Sequence, residues 1–122
     1  MMFTLDTNIL IYYAAGDEHV ASFLRDNGNK IFYIPTIVIA EFLSHPLMDE
    51  RTQALFRLFL SQTTAIGLDT ALAERAAIIR RVHKLKLADA VIAATALFTG
   101  STLITRNEKD FRKVLGLGII NP

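Results

Sequence analysis

The sequence predicts a single α/β domain spanning residues 1–122, with a central, mainly parallel sheet and helices on both of its faces. Short apolar stretches alternate with helical patterns along the whole chain, which is the order that successive βα units produce. Hydrophobic residues make up 52% of the chain, which is enough to bury a sheet on both faces. No linker, internal repeat or low-complexity segment interrupts the alternation, and this favours one domain over two.

Strands are predicted where short runs of apolar and β-branched residues occur between polar residues. The first run ends at Asp6, and the others cover Ile31–Ile34, Thr64–Leu68, Ser101–Thr105 and Ile119–Ile120. Ligands of parallel α/β sheets bind at the carboxyl ends of the strands. Residues that directly follow these strands are therefore the first candidates for a functional site.

Helices are predicted from capping residues and from apolar residues at helical spacing. They cover the residues between Asp6 and Gly16, then Glu18–Arg25, Thr36–Ser44, Asp49–Ser61, 70–83 and Leu87–Thr99. The last of these is apolar on nearly all sides, which predicts a buried helix. In the two helices before it, the residues expected to face inward are Leu55, Leu58, Phe59, Leu72, Ala76, Ile79 and Val82.

Composition excludes several classes of protein. The net charge is only +1, so any surface that binds nucleic acid must be local. The absence of cysteine excludes disulfides, thiolate metal sites and cysteine nucleophiles. The longest uncharged run, Ala90–Thr105, is shorter than the roughly 18–20 apolar residues of a membrane span. A soluble cytoplasmic protein that does not enter a membrane is expected.

Three acidic residues, Asp6, Glu41 and Asp89, stand alone in apolar surroundings. Each is the only Asp, Glu, Lys or Arg of its segment, and the segments are 1–16, 31–48 and 87–105. Helix capping is the alternative for Asp6, and Asp89 would gain about 0.3–1 kcal/mol from the macrodipole of its helix. Glu41 lies inside its helix and is poorly placed to cap it.

If these carboxylates converge, their mutual repulsion requires a cation. No Lys or Arg is interleaved with them, and hard oxygen ligands suit Mg²⁺ or Mn²⁺. Thr105, Asn107 and Asp110 lie at or after the end of a predicted strand and can turn oxygen atoms toward the same edge. The alternative for that stretch is a solvated turn capped by Asn107.

These residues resemble the motifs of the PIN domain, and more narrowly those of VapC-type ribonuclease toxins. The resemblance covers essentially the whole chain. It implies an α/β/α sandwich with an acidic pocket that binds Mg²⁺ or Mn²⁺ and cleaves RNA. It also implies a homodimer and a small antitoxin whose C-terminal segment covers the pocket. The motifs that carry it are Leu5-Asp6-Thr7-Asn8, Glu41, the LADAVIAATA stretch from Leu87, Thr105-Arg106-Asn107 and Asp110-Phe111.

The resemblance places Asp6, Glu41 and Asp89 on the three acidic positions of the family. Asp6 and Asp89 are expected to hold the principal ion directly, Glu41 to bind it through water or to steady the attacking water, and Asn107 with Asp110 to complete the site. Many family members carry an acid where this chain has Asn107; Asp110 is expected to substitute in part, and which of the two fills the fourth ligand position stays open. Whether one ion or two bind therefore stays open.

The motif threonines and several cations complete the expected site. Thr7 and Thr105 are expected to hydrogen-bond the ligand carboxylates. Four cations near the motifs are expected to contact RNA phosphates, although each taken singly is equally a solvated surface charge. They are Lys86, Arg106, Lys109 and Arg112.

Three other functions are weighed against a ribonuclease. A haloacid-dehalogenase-type phosphatase would carry a second aspartate where this chain has Asn8. A response-regulator receiver domain would show adjacent acids after its first strand and a lysine after a late strand, and neither pattern is clear. A non-catalytic PIN-like module acting by protein or RNA contact remains open, because Asn107 departs from the family pattern.

A surplus of apolar residues in two helices predicts a partner. Thr36–Ser44 and Asp49–Ser61 carry more apolar side chains than one sheet face can cover. Large exposed apolar surfaces mark interfaces. The antitoxin implied by the resemblance is the expected occupant, and the alternative is that the two helices cover each other.

Overall fold

The computed structural model describes all residues, Met1–Pro122, around one parallel sheet. Its strands are β1 (Met2–Leu5), β2 (Ile31–Pro35), β3 (Thr64–Ile66), β4 (Thr102–Ile104) and β5 (Ile119–Ile120). They lie in the order β3-β2-β1-β4-β5, and every neighbouring pair is parallel. All five predicted strands are confirmed, and the α/β class with them.

Seven helices connect and flank these strands. They are α1 (Thr7–Ala14), α2 (Glu18–Asp26), α3 (Thr36–Leu43), α4 (Glu50–Leu60), α5 (Thr70–His83), α6 (Leu87–Thr99) and α7 (Glu108–Phe111). Three of them begin at an aspartate whose carboxylate accepts a backbone N–H of the first turn, namely Asp17, Asp49 and Asp69. No helix is both long and apolar enough to cross a membrane.

The core is organised around β1 and α6. Phe3 of β1 packs against Phe32 and Phe23, with ring centroids 5.4 and 5.2 Å away. The neighbouring Thr4 is fully buried and is hydrogen-bonded to Ser101 across 2.6 Å. Helix α6 contacts β1, β2, β4, α3 and α5, and its residues from Ala90 to Ala96 are all buried. The predicted buried helix is confirmed.

Three predictions about inward-facing residues are wrong. Leu55 and Leu58 are 58% and 62% exposed, because α4 instead turns Phe56 inward against Phe42, with ring centroids 4.4 Å apart. Val82 is 63% exposed. In α5 the inward row that starts at Leu72 and Ala76 continues to the half-buried His83 and so bypasses Val82.

Candidate active site

Asp6 directly follows β1 and is only 4% exposed. It occupies the N-cap position of α1, yet its side chain makes no capping hydrogen bond. Instead, Thr105 Oγ1 donates to Asp6 Oδ2 across 2.7 Å. Burial raises the pKa of Asp6, while the Thr105 hydrogen bond lowers it. Helix capping is therefore not what the Asp6 carboxylate does in this fold.

Glu41 lies in the last turn of α3 and is exposed to solvent. Thr7, the first residue of α1, donates a hydrogen bond from Oγ1 to Glu41 Oε1 across 2.6 Å. The bond joins the start of α1, just after Asp6, to the end of α3. Glu41 is therefore held beside the carboxyl end of β1.

Asp89 lies in the first turn of α6 and is half-buried. Its carboxylate has no hydrogen bond and no ion pair within the chain. Burial, followed by the charge of Asp6, raises the pKa of Asp89 to about 6. The charges of Asp110 and Glu41 raise it as well, and Lys86 opposes them. A carboxylate in this position lacks a compensating cation.

The stretch after β4 brings Asn107 and Asp110 together. Asn107 Nδ2 donates to Asp110 Oδ2 across 3.2 Å, and the Asn107 backbone N–H donates to Thr105 Oγ1 across 3.0 Å. Asn107 forms no side-chain cap of α7. The other oxygen of Asp110, Oδ1, lies 3.9 Å from Lys113 Nζ. Thr105 thus links Asn107 to Asp6.

The acids share one region but do not form a tight cluster. Asp6, Glu41 and Asp110 all act electrostatically on Asp89. No group of three Asp, Glu, His or Cys side chains is close enough to hold one metal ion. The ligand atoms that these side chains offer are all oxygens, and Asp89 has no counterion. The chemistry of the site therefore suits a hard divalent cation.

The four predicted RNA-contacting cations differ in their surroundings. Lys86, Lys109 and Arg112 are exposed and form no ion pair. Arg106 is half-buried, and its Nη1 and Nη2 donate to the two carboxylate oxygens of Asp17 across 2.8 and 2.9 Å. Its guanidinium carbon lies 4.6 Å from the centre of the Tyr12 ring.

Neither the partners of Arg106 nor a basic hollow on the surface was predicted from the sequence. No local pattern pairs Asp17 with Arg106, because 89 positions separate them. The hollow, about 500 Å³, is lined by Arg80, Arg81 and Lys84 at the turn between α5 and α6. Its signal was visible as a run of cations without an acid, RRVHKLK, that leads into Asp89.

An apolar groove of about 460 Å³ lies among α1, α3 and α4. Phe42 and Phe56 line it from the core, and the exposed Leu55 and Leu58 line it from outside. Phe42 follows Glu41 in α3, so the groove and one of the acidic residues share this helix. The predicted surplus of apolar surface on these helices is therefore present as a groove.

Comparison with known proteins identifies the fold. The PIN domain profile matches residues 3–117. Ribonuclease VapC2 of Rickettsia felis is 29% identical over 99% of this chain and 98% of that protein. Among solved structures, R. felis VapBC2 bound to a promoter DNA fragment superposes with a TM-score of 0.85 at 25% identity, covering 100% of this chain and 99% of that one. A toxin–antitoxin complex from Klebsiella pneumoniae superposes with a TM-score of 0.82 at 32% identity, covering 98% and 96%. The chain therefore belongs to the PIN-domain family.

Proposed function

We propose that the chain is a metal-dependent endoribonuclease and the toxin of a type II toxin–antitoxin module. One observation carries the proposal. Asp89 is a half-buried carboxylate without a partner, and three further acids act on it at the carboxyl edge of a sheet. A relative that matches nearly the whole chain is a ribonuclease, and solved structures of the same fold are toxin–antitoxin complexes.

The proposed ion is Mg²⁺ or Mn²⁺. Asp6 and Asp89 would bind it directly, Glu41 would bind it through water, and Asn107 with Asp110 would complete the site. When bound, such an ion lowers the pKa of a coordinated water and stabilises charge on phosphate oxygens. Thr105 orients Asp6, and Thr7 orients Glu41, through the hydrogen bonds described above.

The proposed reaction is hydrolysis of an RNA phosphodiester bond. The oxygen of water bonds to phosphorus while the bond from phosphorus to the 3′ oxygen breaks. The products are a 5′-phosphate and a 3′-hydroxyl. The proton that the attacking water loses passes to a carboxylate of the site, the 3′ oxygen takes up a proton from solvent as it leaves, and no histidine base is needed.

The RNA backbone is proposed to lie over exposed cations around the acidic residues. Lys86 precedes α6 and acts electrostatically on Asp89, and Lys109 and Arg112 follow Asn107. The hollow with Arg80, Arg81 and Lys84 continues this basic surface along the turn before α6. Cations of this kind contact phosphates without reading sequence.

The antitoxin is proposed to fill the apolar groove among α1, α3 and α4. Toxin–antitoxin complexes share this fold across nearly the whole chain, which supports a peptide partner over a small molecule. An apolar helix laid in such a groove reaches the neighbourhood of Glu41. A charged side chain at its end would then block the site.

A homodimer is proposed through a second apolar surface. Ile78 and Val82 lie one turn apart on α5 and are 53% and 63% exposed. They lie outside the groove, so both partners can bind at once. Self-association would remove this apolar pair from water.

A cleavage assay tests the ribonuclease. Purified protein is incubated with a mixture of labelled RNAs in Mg²⁺, in Mn²⁺ or in EDTA, beside the variant Asp89→Asn. Cleavage that requires the ion and Asp89, with 5′-phosphate ends, is the expected result. Stoichiometric Mn²⁺ binding without cleavage of any RNA would instead establish the non-catalytic module, which Asn107 favours.

A further inference from the structure

Arg106 forms the most sheltered ion pair of the chain. Its fork-shaped guanidinium donates to both oxygens of Asp17, and the two side chains are 26% and 23% exposed. The other ion pair, Lys113 with Asp110, is longer and more exposed. Bidentate pairs of Arg with a carboxylate fix orientation as well as distance.

Both partners of Arg106 are themselves fixed. Asp17 is the N-cap of α2, and its Oδ1 also accepts the Val20 backbone N–H across 3.1 Å. Tyr12 belongs to α1, the helix whose first residue holds Glu41. Arg106 therefore ties the segment after β4 to the region between α1 and α2.

The segment that Arg106 anchors carries site residues on both sides. Thr105, before it, holds Asp6, and Asn107, after it, holds Asp110. Asn107 is outside regular helix, and the backbone bond from Phe111 N–H to Asn107 O is long, at 3.4 Å. The Thr105–Asn107 hydrogen bond and the fully buried Phe111 hold two points of the segment, and the Arg106–Asp17 ion pair between them is the contact that holds it against the region between α1 and α2.

The pairing argues against a phosphate contact at this position. The Asp17 carboxylate accepts from both Nη1 and Nη2 and offsets the charge of the guanidinium, which weakens its attraction for a phosphate relative to an unpaired cation. Lys86, Lys109 and Arg112 have no such partner. Arg106 therefore differs in kind from the other cations of the motif.

We propose that Arg106 is a positioning residue. Its ion pair with Asp17, over the ring of Tyr12, fixes Asn107 and Asp110 relative to Asp6 and Asp89. This inference rests on the proposed function, because it concerns the same metal and RNA site. Loss of the pair weakens metal binding and turnover and leaves the affinity for RNA unchanged.

The test compares three single variants and one double variant with the wild type. Arg106→Gln and Asp17→Asn each remove the pair, and asparagine still caps α2. Asp49→Asn is the matched control, because Asp49 caps α4 in the same way without an arginine partner. Mn²⁺ affinity by calorimetry, kcat and KM are measured for each variant.

Both pair variants are expected to lose about tenfold in Mn²⁺ affinity and in kcat, with KM unchanged. The double variant loses no more than either single variant, because one interaction is removed in all three. Asp49→Asn behaves like the wild type. A raised KM in Arg106→Gln with a normal Asp17→Asn would overturn the proposal in favour of an RNA contact.

A second measurement separates this inference from the proposed function. The backbone amide resonances of Asn107 and Asp110 are expected to move in Arg106→Gln and Asp17→Asn, but not in Asp49→Asn, without metal or RNA. A wild type that neither binds Mn²⁺ nor cleaves RNA refutes the ribonuclease alone. Unmoved resonances in both pair variants refute the positioning role alone.

Discussion

Thr105 Oγ1 donates a 2.7 Å hydrogen bond to Asp6 Oδ2 across 99 positions of the chain. Both residues follow the carboxyl ends of neighbouring strands, β4 and β1. The same hydroxyl oxygen accepts the Asn107 backbone N–H across 3.0 Å. One threonine thus sets the distance between the first and the last motif of the site.

Replacing Thr105 by valine is therefore expected to lower both the stability of the protein and its affinity for Mn²⁺. The variant keeps the shape of the side chain but leaves Asp6 and the Asn107 N–H without a partner, which costs about 1–3 kcal/mol. The pKa of Asp6 rises further, because the Thr105 bond is the main influence that lowers it. Chemical unfolding and Mn²⁺ calorimetry check both effects. Thr105→Ser keeps the hydroxyl and restores metal binding; equal losses in both variants would point to packing alone.

Asp89→Asn is expected to abolish cleavage and to stabilise the metal-free protein at neutral pH. At neutral pH the Asp89 carboxylate is ionised, although burial and its acidic neighbours both disfavour the charged form. The expected gain is on the order of 1 kcal/mol after allowance for partial exposure. Melting curves of both proteins in EDTA measure it. A large loss of stability would identify Asp89 as a structural cap of α6.

The pH dependence of metal-free stability follows from the same residue. The pKa of Asp89 is about 6 in the folded chain, whereas an aspartate surrounded by water, as in the unfolded chain, has a pKa of 3.8. Between these values the folded state binds more protons, so stability falls as pH rises through this window. The penalty is absent below it and complete above it. Denaturation in EDTA from pH 4 to 8 shows a steeper fall in stability in the wild type than in Asp89→Asn, where the raised pKa of Asp6 still contributes in the same direction.

Local sequence patterns predicted much of this fold. Capping aspartates and turn glycines gave the helix limits, and the uncharged Leu87–Thr99 stretch, apart from Asp89, gave the buried α6. The sides of α4 and α5 that face inward were predicted less accurately. Amphipathic spacing allows several helix rotations, and the pairing of Phe42 with Phe56 selects the one that exposes Leu55.

Some features of the site were likewise predictable from the local sequence, and others were not. Isolation in apolar sequence singled out Asp6, Glu41 and Asp89, because an unpaired charge in such surroundings has few structural uses. The pairing of Arg106 with Asp17 had no local signal, since it depends on how two distant turns meet. Long-range ion pairs follow from the folded topology and not from spacing.

Lys86→Gln is expected to weaken RNA binding without affecting the fold. Binding is measured in the Asp89→Asn background, where RNA stays intact. Each lost phosphate contact lowers the slope of log affinity against log salt by about 0.7 for single strands. Lys30→Gln is the control, because Lys30 precedes β2 and lies at the opposite edge of the sheet. Equal effects of both changes would indicate a general effect of charge and would argue against an RNA path over Lys86.

The exposed pair on α5 predicts a dimer. Sedimentation of the wild type at tens of micromolar is expected to show a homodimer. The combined change Ile78→Ser and Val82→Ser removes the apolar pair and yields monomers, because both side chains are more than half exposed in the isolated chain. A wild-type monomer refutes the dimer, and a dimeric variant places the interface elsewhere.

The groove among α1, α3 and α4 is best tested at its exposed residues. Phe42 and Phe56 are 4% and 5% exposed, so polar replacements there would disturb the core before they reported on a partner. Leu55 and Leu58 line the same groove at 58% and 62% exposure and can be replaced by serine with little effect on folding. Each change is expected to weaken binding of the proposed antitoxin partner by about tenfold, since a buried leucine contributes roughly 1.5–3 kcal/mol.

The matched control for the groove is Leu115→Ser, because Leu115 is 91% exposed, lies after α7 and does not line the groove. Affinity is measured by calorimetry with each folded variant, and inhibition of RNA cleavage is followed in parallel. Groove changes should weaken affinity and inhibition together, because the segment proposed to fill the groove is also proposed to block the site near Glu41. If inhibition persists at full strength in Leu55→Ser and Leu58→Ser while Leu115→Ser loses it, the antitoxin binds another surface.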